Sequence, residues 1–252
     1  MRLDGKVVIV TGGSRGIGRA TVTKCAREGA RVAFFDLDQA EGERVAREIG
    51  GVRFAKADVT REAEVAGAIA DVVSREGAVD VLVNNAGVNA YFDPSAMTEA
   101  EWDSVFAVDL KGAWLCAKHV LPSMKQARRG SIVNVASIHA RLTISGMFPY
   151  AAAKSGLVGL TRSLALDCAP HNIRVNAVLP GWTRTRLVEE WFERQPDPKA
   201  AERSVLDVHP LGRIASPDEI ANLIAFVASD EASAITGASL SADCGLGVRF
   251  AT

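Results

Sequence analysis

The chain alternates short apolar, mostly β-branched runs with longer stretches of helical period. The runs fall at 6–10, 31–35, 52–55, 79–83, 131–135, 173–178 and 238–241. Most are apolar throughout, as strands are when both faces of a parallel sheet are covered. Helices are expected between them at about 16–29, 39–49, 61–76, 99–127, 150–169 and 217–229. Two of these carry start signals: Thr98 with Glu101, and Ser216-Pro217-Asp218-Glu219. Strand–helix alternation implies right-handed crossovers and an α/β, doubly wound parallel sheet. No linker, repeat or low-complexity tract divides the chain, so a single domain over 1–252 is expected. The stretch 181–216 breaks the alternation. Such an excursion suits either a lid or binding loop or an added pair of surface helices.

Composition closes off several function classes. The 252 residues are 48% hydrophobic and 23% charged, ordinary for a soluble globular protein. A net charge of −1 makes no case for nucleic acid or an anionic membrane as partner. The apolar runs are too short to span a bilayer. Met1-Arg2 leads into polar Asp4-Gly5-Lys6 rather than an apolar leader. The four cysteines show no C-x-x-C spacing, as expected of reduced thiols in a cytoplasmic protein. The four histidines lack metal-ligand spacing, so no metal site is expected.

The first run ends in "TGGSRGIGRA". Gly12 permits a tight turn, Gly16 lets backbone approach a pyrophosphate, and Gly18 lets the helix pack on the strand. The helix N-terminus offers free N–H groups to phosphates. Dinucleotide contacts are therefore expected at Gly12, Ser14, Arg15, Gly16, Ile17 and Gly18. Asp36 follows Gly12 by 24 residues, near the place of an acid that binds the adenosine ribose. Its carboxylate would repel a 2′-phosphate, which favours NAD over NADP. Arg15 pulls the other way, since it could meet that phosphate.

Tyr150 and Lys154 stand four apart on one helix face, with Ser137 thirteen residues upstream of the tyrosine. An ammonium beside a phenol favours the phenolate. The phenol then suits general acid catalysis of carbonyl reduction, and the phenolate suits alcohol oxidation. Ser137, just past a strand, could hold the substrate oxygen beside it.

The chain resembles the classical short-chain dehydrogenase/reductase family along nearly its full length. The matching residues are "TGGSRGIG" at 11–18, "ADV" at 57–59, "NNAG" at 84–87, Ser137, "YAAAK" at 150–154, "RVNAVLPG" at 174–181 and "TG" at 236–237. The resemblance implies a Rossmann-type seven-stranded sheet of order 3-2-1-4-5-6-7 and a homo-oligomer, usually a tetramer. It implies adenine contacts at Asp58 and Val59, a cleft floor at Asn85, Ala86 and Gly87, and ribose contacts from Lys154. Pro180 and Gly181 would turn the chain past the nicotinamide, Thr185 would contact its carboxamide, and Thr183 would belong to the same cofactor-binding run. The segment 186–210 would be the substrate loop. Asp109 stands where the family usually has an asparagine that completes the catalytic set. Thr183 replaces an aliphatic residue, and Cys244 interrupts a usual D-G-G. If the backbone carbonyl at 109 does the work, the side-chain change is expected to matter little.

Substrate contacts are expected from Asn89, His139, Met147 and Trp182, with Arg141, Phe148, Trp191 and Phe192 as further candidates. The His, Asn and Trp mixture hints at a small sugar or polyol. The leading expectation is an NAD-dependent oxidoreductase interconverting a secondary alcohol and its ketone. The alternatives are an NADPH-dependent 3-oxoacyl-thioester reductase and a non-catalytic dinucleotide-binding redox sensor.

Overall fold

The strands are β1 (Val7–Thr11), β2 (Arg31–Asp36), β3 (Arg53–Lys56), β4 (Val81–Asn84), β5 (Gly130–Val135), β6 (Ile173–Pro180) and β7 (Ser239–Ala242). In the computed structural model, which describes residues 1–249, all seven pair in parallel in the order β3-β2-β1-β4-β5-β6-β7. The expected fold class and strand order are both found. Side chains alternate across a strand, so β1 feeds two cores. Val7 and Ile9 pack with Ile69, Leu115, Val120 and Met124 on one face. Val8 and Val10 pack with Val22, Cys25, Ile220 and Ile224 on the other. Two buried faces explain why these strands read as apolar throughout.

The helices are α1 (Gly16–Arg27), α2 (Gln39–Ile49), α3 (Glu62–Glu76), α4 (Glu99–Phe106), α5 (Gly112–Ala127), α6 (Tyr150–Cys168), α7 (Arg186–Glu193), α8 (Pro198–Asp207) and α9 (Pro217–Ala228). Capping boxes close the starts of α4 and α9, as Thr98 and Ser216 suggested. Each such cap is worth about 1 kcal/mol. The helix expected over 99–127 is interrupted by one π turn at Ala107–Lys111, which carries Asp109 on its buried side. Such single-turn widenings recur at functional sites.

The excursion after β6 takes the form of a helix pair, α7 and α8. They hold a small core of their own: Phe192, Val205 and Ile214 are buried against Trp182, Val188 and Trp191. The Trp182 ring lies 5.0 Å from Trp191 and 6.0 Å from Phe192.

A buried polar chain ties the central strands to α6. Asn84 Nδ2 donates to Asn134 Oδ1 at 2.9 Å, and Asn134 Nδ2 donates to Thr161 Oγ1 at 2.9 Å. These bonds span β4, β5 and α6, so they fix the helix that bears Tyr150 against the sheet. Asn84 Nδ2 also donates to the Ala113 carbonyl at 3.2 Å, and a buried network of this kind favours one arrangement.

Candidate active site

Strands β1 and β4 are sheet neighbours whose following segments leave in opposite directions, and the crevice at such a switch point is where ligands bind. Two loops meet there and are clamped together. Thr11 Oγ1 accepts from the N–H groups of Asn85 and Ala86, each at 3.0 Å. Asn85 Nδ2 donates to the carbonyls of Thr11 and Gly12, each at 3.0 Å. A β-carbon on Gly12 would lie 2.9 Å from the Ala86 Cα, and one on Gly18 would lie 1.9 Å from the Gly12 carbonyl oxygen. Only hydrogen fits at either place. Gly12 and Gly16 also adopt positive φ, 64° and 51°.

The residues present fit a dinucleotide. The glycine turn is a backbone cradle at the start of α1, and α1 receives no side-chain cap, so its first N–H groups keep their donor capacity. Inside the turn, the buried Ser14 hydroxyl oxygen has no hydrogen-bond partner. At the end of β2 the Asp36 carboxylate is held by two backbone donors, Ser14 N–H at 3.0 Å and Asp38 N–H at 3.2 Å. Arg15 is tied to Asp38 at 2.7 Å, with Glu41 4.0 Å away. The pair is exposed and worth about 0–1 kcal/mol. Asp58 Oδ1 accepts from the backbone and hydroxyl of Thr60, at 2.9 and 2.7 Å. Val59 is buried and abuts Gly112.

A cavity of about 990 Å³ opens beyond this turn, lined by Ile17, Asn85, Gly87, Ser137, Tyr150, Lys154, Pro180, Gly181, Thr183 and Thr185. Asp109 lies behind Gly87: a β-carbon there would sit 3.0 Å from Lys154 Nζ and 3.1 Å from Asp109 Oδ1. Tyr150 opens α6, and Lys154 is one turn on, its Nζ 5.5 Å from the phenol ring centre. Burial pushes the Tyr150 phenol up to about 12; a hydrogen bond with Ser137 opposes this, and the Asp109 charge adds to it. Burial also pulls the Lys154 ammonium down, and the Asp109 carboxylate opposes that. Asp109 itself is raised by burial, against the pull of Lys154 and of the Val88 N–H. Ser137 lies two residues past β5 and receives the His139 N–H at 3.2 Å.

The candidate substrate residues Asn89, His139, Met147 and Trp182 all line the cavity, as does Trp191. Three further candidates do not. Arg141 turns away to the Ser239 carbonyl at 2.9 Å, Phe148 packs beside Trp102 at 5.8 Å, and Phe192 is buried in the small core. Sequence reasoning missed the apolar rim formed by Val88, Leu142, Ile144, Leu187 and Val208. These residues share no motif or period, and only the fold brings them together.

A family model described as Enoyl-(Acyl carrier protein) reductase matches residues 12–247. A 3-oxoacyl-[acyl-carrier-protein] reductase of Thermotoga maritima is 39% identical, covering 98% of this chain and 99% of that one. A 2-(S)-hydroxypropyl-CoM dehydrogenase of Xanthobacter autotrophicus is 38% identical, covering 97% and 98%. The crystal structure of levodione reductase superposes with a TM-score of 0.94 at 33% identity, covering 99% of this chain and all of that one. The glycine turn, the Ser137, Tyr150 and Lys154 set, the strand order and these likenesses over the whole length agree: the chain belongs to the short-chain dehydrogenase/reductase family, oxidoreductases that work with NAD or NADP.

Proposed function

We propose that this protein is an NAD-dependent oxidoreductase that interconverts a secondary alcohol and its ketone, with Tyr150 as general acid and base. The observation that carries it is the convergence of Ser137, Tyr150 and Lys154 on one cavity beside the glycine turn. When bound, the nicotinamide supplies or accepts the hydride. The chain's own residues do the rest. Ser137 holds the substrate oxygen, Tyr150 gives or takes its proton, and Lys154 favours the phenolate and holds the ribose hydroxyls. Gly12 through Gly18 hold the phosphates, Asp58 and Val59 the adenine, and Pro180 through Thr185 the nicotinamide side.

The choice of NAD rests on Asp36, whose carboxylate two backbone donors hold in place. Asp38 and Glu41 deepen the negative charge there and occupy Arg15. The same charges weigh against an NADPH-dependent thioester reductase, although one relative carries that thioester in its name. The intact proton-transfer set weighs against a sensor without turnover. One domain carries the whole activity, with 186–210 as its substrate segment. No described helix is long and apolar enough to cross a membrane. A cytoplasmic homotetramer fits this reading, and the exposed Trp114 and Leu166 on α5 and α6 support the assembly. The test is turnover of alcohols and ketones with each cofactor, followed at the absorbance of the reduced nicotinamide. Binding of NADH without any turnover would leave only the sensor.

A further inference from the structure

The cavity beside Tyr150 has an apolar rim. Val88, Tyr91, Leu142, Ile144, Leu187 and Val208 all line it, and each is between 41% and 60% exposed. They account for six of the thirteen large hydrophobic side chains exposed among the described residues. They come from separate segments: the loop after β4, the loop before α6, α7, and the residue following α8. Scattered apolar side chains on a surface need no explanation, but a contiguous set around one concavity marks a ligand. The α7–α8 pair can hold such a rim because its own core of Phe192, Val205 and Ile214 anchors it independently of any ligand.

Of the polar groups that hinted at a sugar, His139 is already engaged. His139 Nδ1 lies 3.1 Å from Thr143 Oγ1. Burial also pulls the His139 pKa down, which favours the uncharged ring. The side chains of Val88, Leu142, Ile144, Leu187 and Val208 offer no hydrogen-bond partner, so polyol hydroxyls laid against them would lose water without compensation.

Resting on the oxidoreductase reading of this cleft, we infer that the substrate carries a compact apolar body, alicyclic or aryl, on its reacting carbon. The carbinol or carbonyl oxygen meets Ser137 and Tyr150. The ring or aryl group lies against Leu142, Ile144 and Leu187. A sugar has too many hydroxyls for that surface, and a pantetheine thioester would lay polar amides across it.

The test uses the full chain with NAD and NADP and five probes: cyclohexanol, 1-phenylethanol, a hexose, a linear hexitol and an acetoacetyl pantetheine thioester. The expected result is a kcat/KM for the two apolar alcohols at least about 100-fold above the hexose and hexitol, and above the thioester assayed in reduction. Leu187→Gln and Ile144→Gln should each raise KM for 1-phenylethanol about tenfold, with kcat within about threefold. NADH binding, read by its fluorescence, should stay unchanged and so report an intact fold. Preference for the hexose, the hexitol or the thioester overturns the apolar body and leaves the oxidoreductase reading standing. An unchanged KM in both variants overturns the placement of that body on this rim. No turnover of any probe, with NADH still bound, overturns both readings.

Discussion

Lys154 Nζ lies 3.8 Å from Asp109 Oδ2, and both side chains are almost wholly buried. The other carboxylate oxygen accepts the Val88 N–H at 2.8 Å, while Oδ2 has no hydrogen-bond partner. The residue that departs from the family pattern thus bears directly on Lys154. Burial pulls the Lys154 pKa down and Asp109 raises it. Removing the carboxylate lets the ammonium lose its proton at lower pH. Asp109→Asn should therefore keep kcat at neutral pH within about threefold, under ~1 kcal/mol in barrier. Its alcohol-oxidation rate should fall away earlier on the alkaline side than the wild type's. Superimposable pH–rate profiles would show that the carboxylate is electrically silent.

Tyr150→Phe removes the proton and keeps the ring. Activity should drop by about 100-fold or more, with NADH affinity little changed. Near-normal turnover in this variant rules out the phenol as acid and base.

The direction of reaction should set the pH response. Burial raises the Tyr150 phenol to about 12, so in the cofactor-free cleft it is protonated at neutrality. Ketone reduction uses that protonated form and should be favoured at neutral or mildly acidic pH. Alcohol oxidation needs the phenolate and should speed up as pH rises. Initial rates in both directions, under chemistry-limited conditions, check this; a shared optimum contradicts it.

Cofactor choice should shift when the acidic patch is weakened. Asp36→Ala removes the charge that faces a 2′-phosphate, and Asp38→Asn releases Arg15 from its 2.7 Å partner. The double variant should narrow the NAD preference more than Asp36→Ala alone. Wild-type protein with higher kcat/KM on NADP would mean that Arg15 outweighs Asp36.

Two glycines should respond in opposite ways to alanine. Gly18→Ala drives a methyl to 1.9 Å from the Gly12 carbonyl oxygen, so the nucleotide turn must shift. NADH affinity should fall at least about tenfold, a loss of ~1.4 kcal/mol. Gly67 lies in α3 with nothing within 4 Å of a β-carbon. Gly67→Ala should stabilise by roughly 0.5–1 kcal/mol. Fluorescence titration and thermal melts distinguish the two.

Much of this protein is local in origin and could be read from the chain alone. Short strands apolar throughout, amphipathic helices between them, and the Thr98 and Ser216 capping boxes all depend on residues a few positions apart. The same holds for the glycine turn and for the Tyr150–Lys154 spacing, which a single helical turn enforces. What the sequence could not disclose depends on long-range contacts. The stretch 181–216 carries a helical spacing at Val188, Trp191 and Phe192, but only packing of Phe192, Val205 and Ile214 decides that it closes into a helix pair rather than a loop. The π turn at Ala107–Lys111 and the bare Asp109 oxygen need the Val88 loop and Lys154 from another helix. The apolar rim joins residues up to 120 positions apart, Val88 to Val208, because the strand order brings their loops to one end of the sheet. Helix and strand arise from neighbours in sequence; a cavity wall arises from neighbours in space, and its chemistry exists only once the sheet has placed them together.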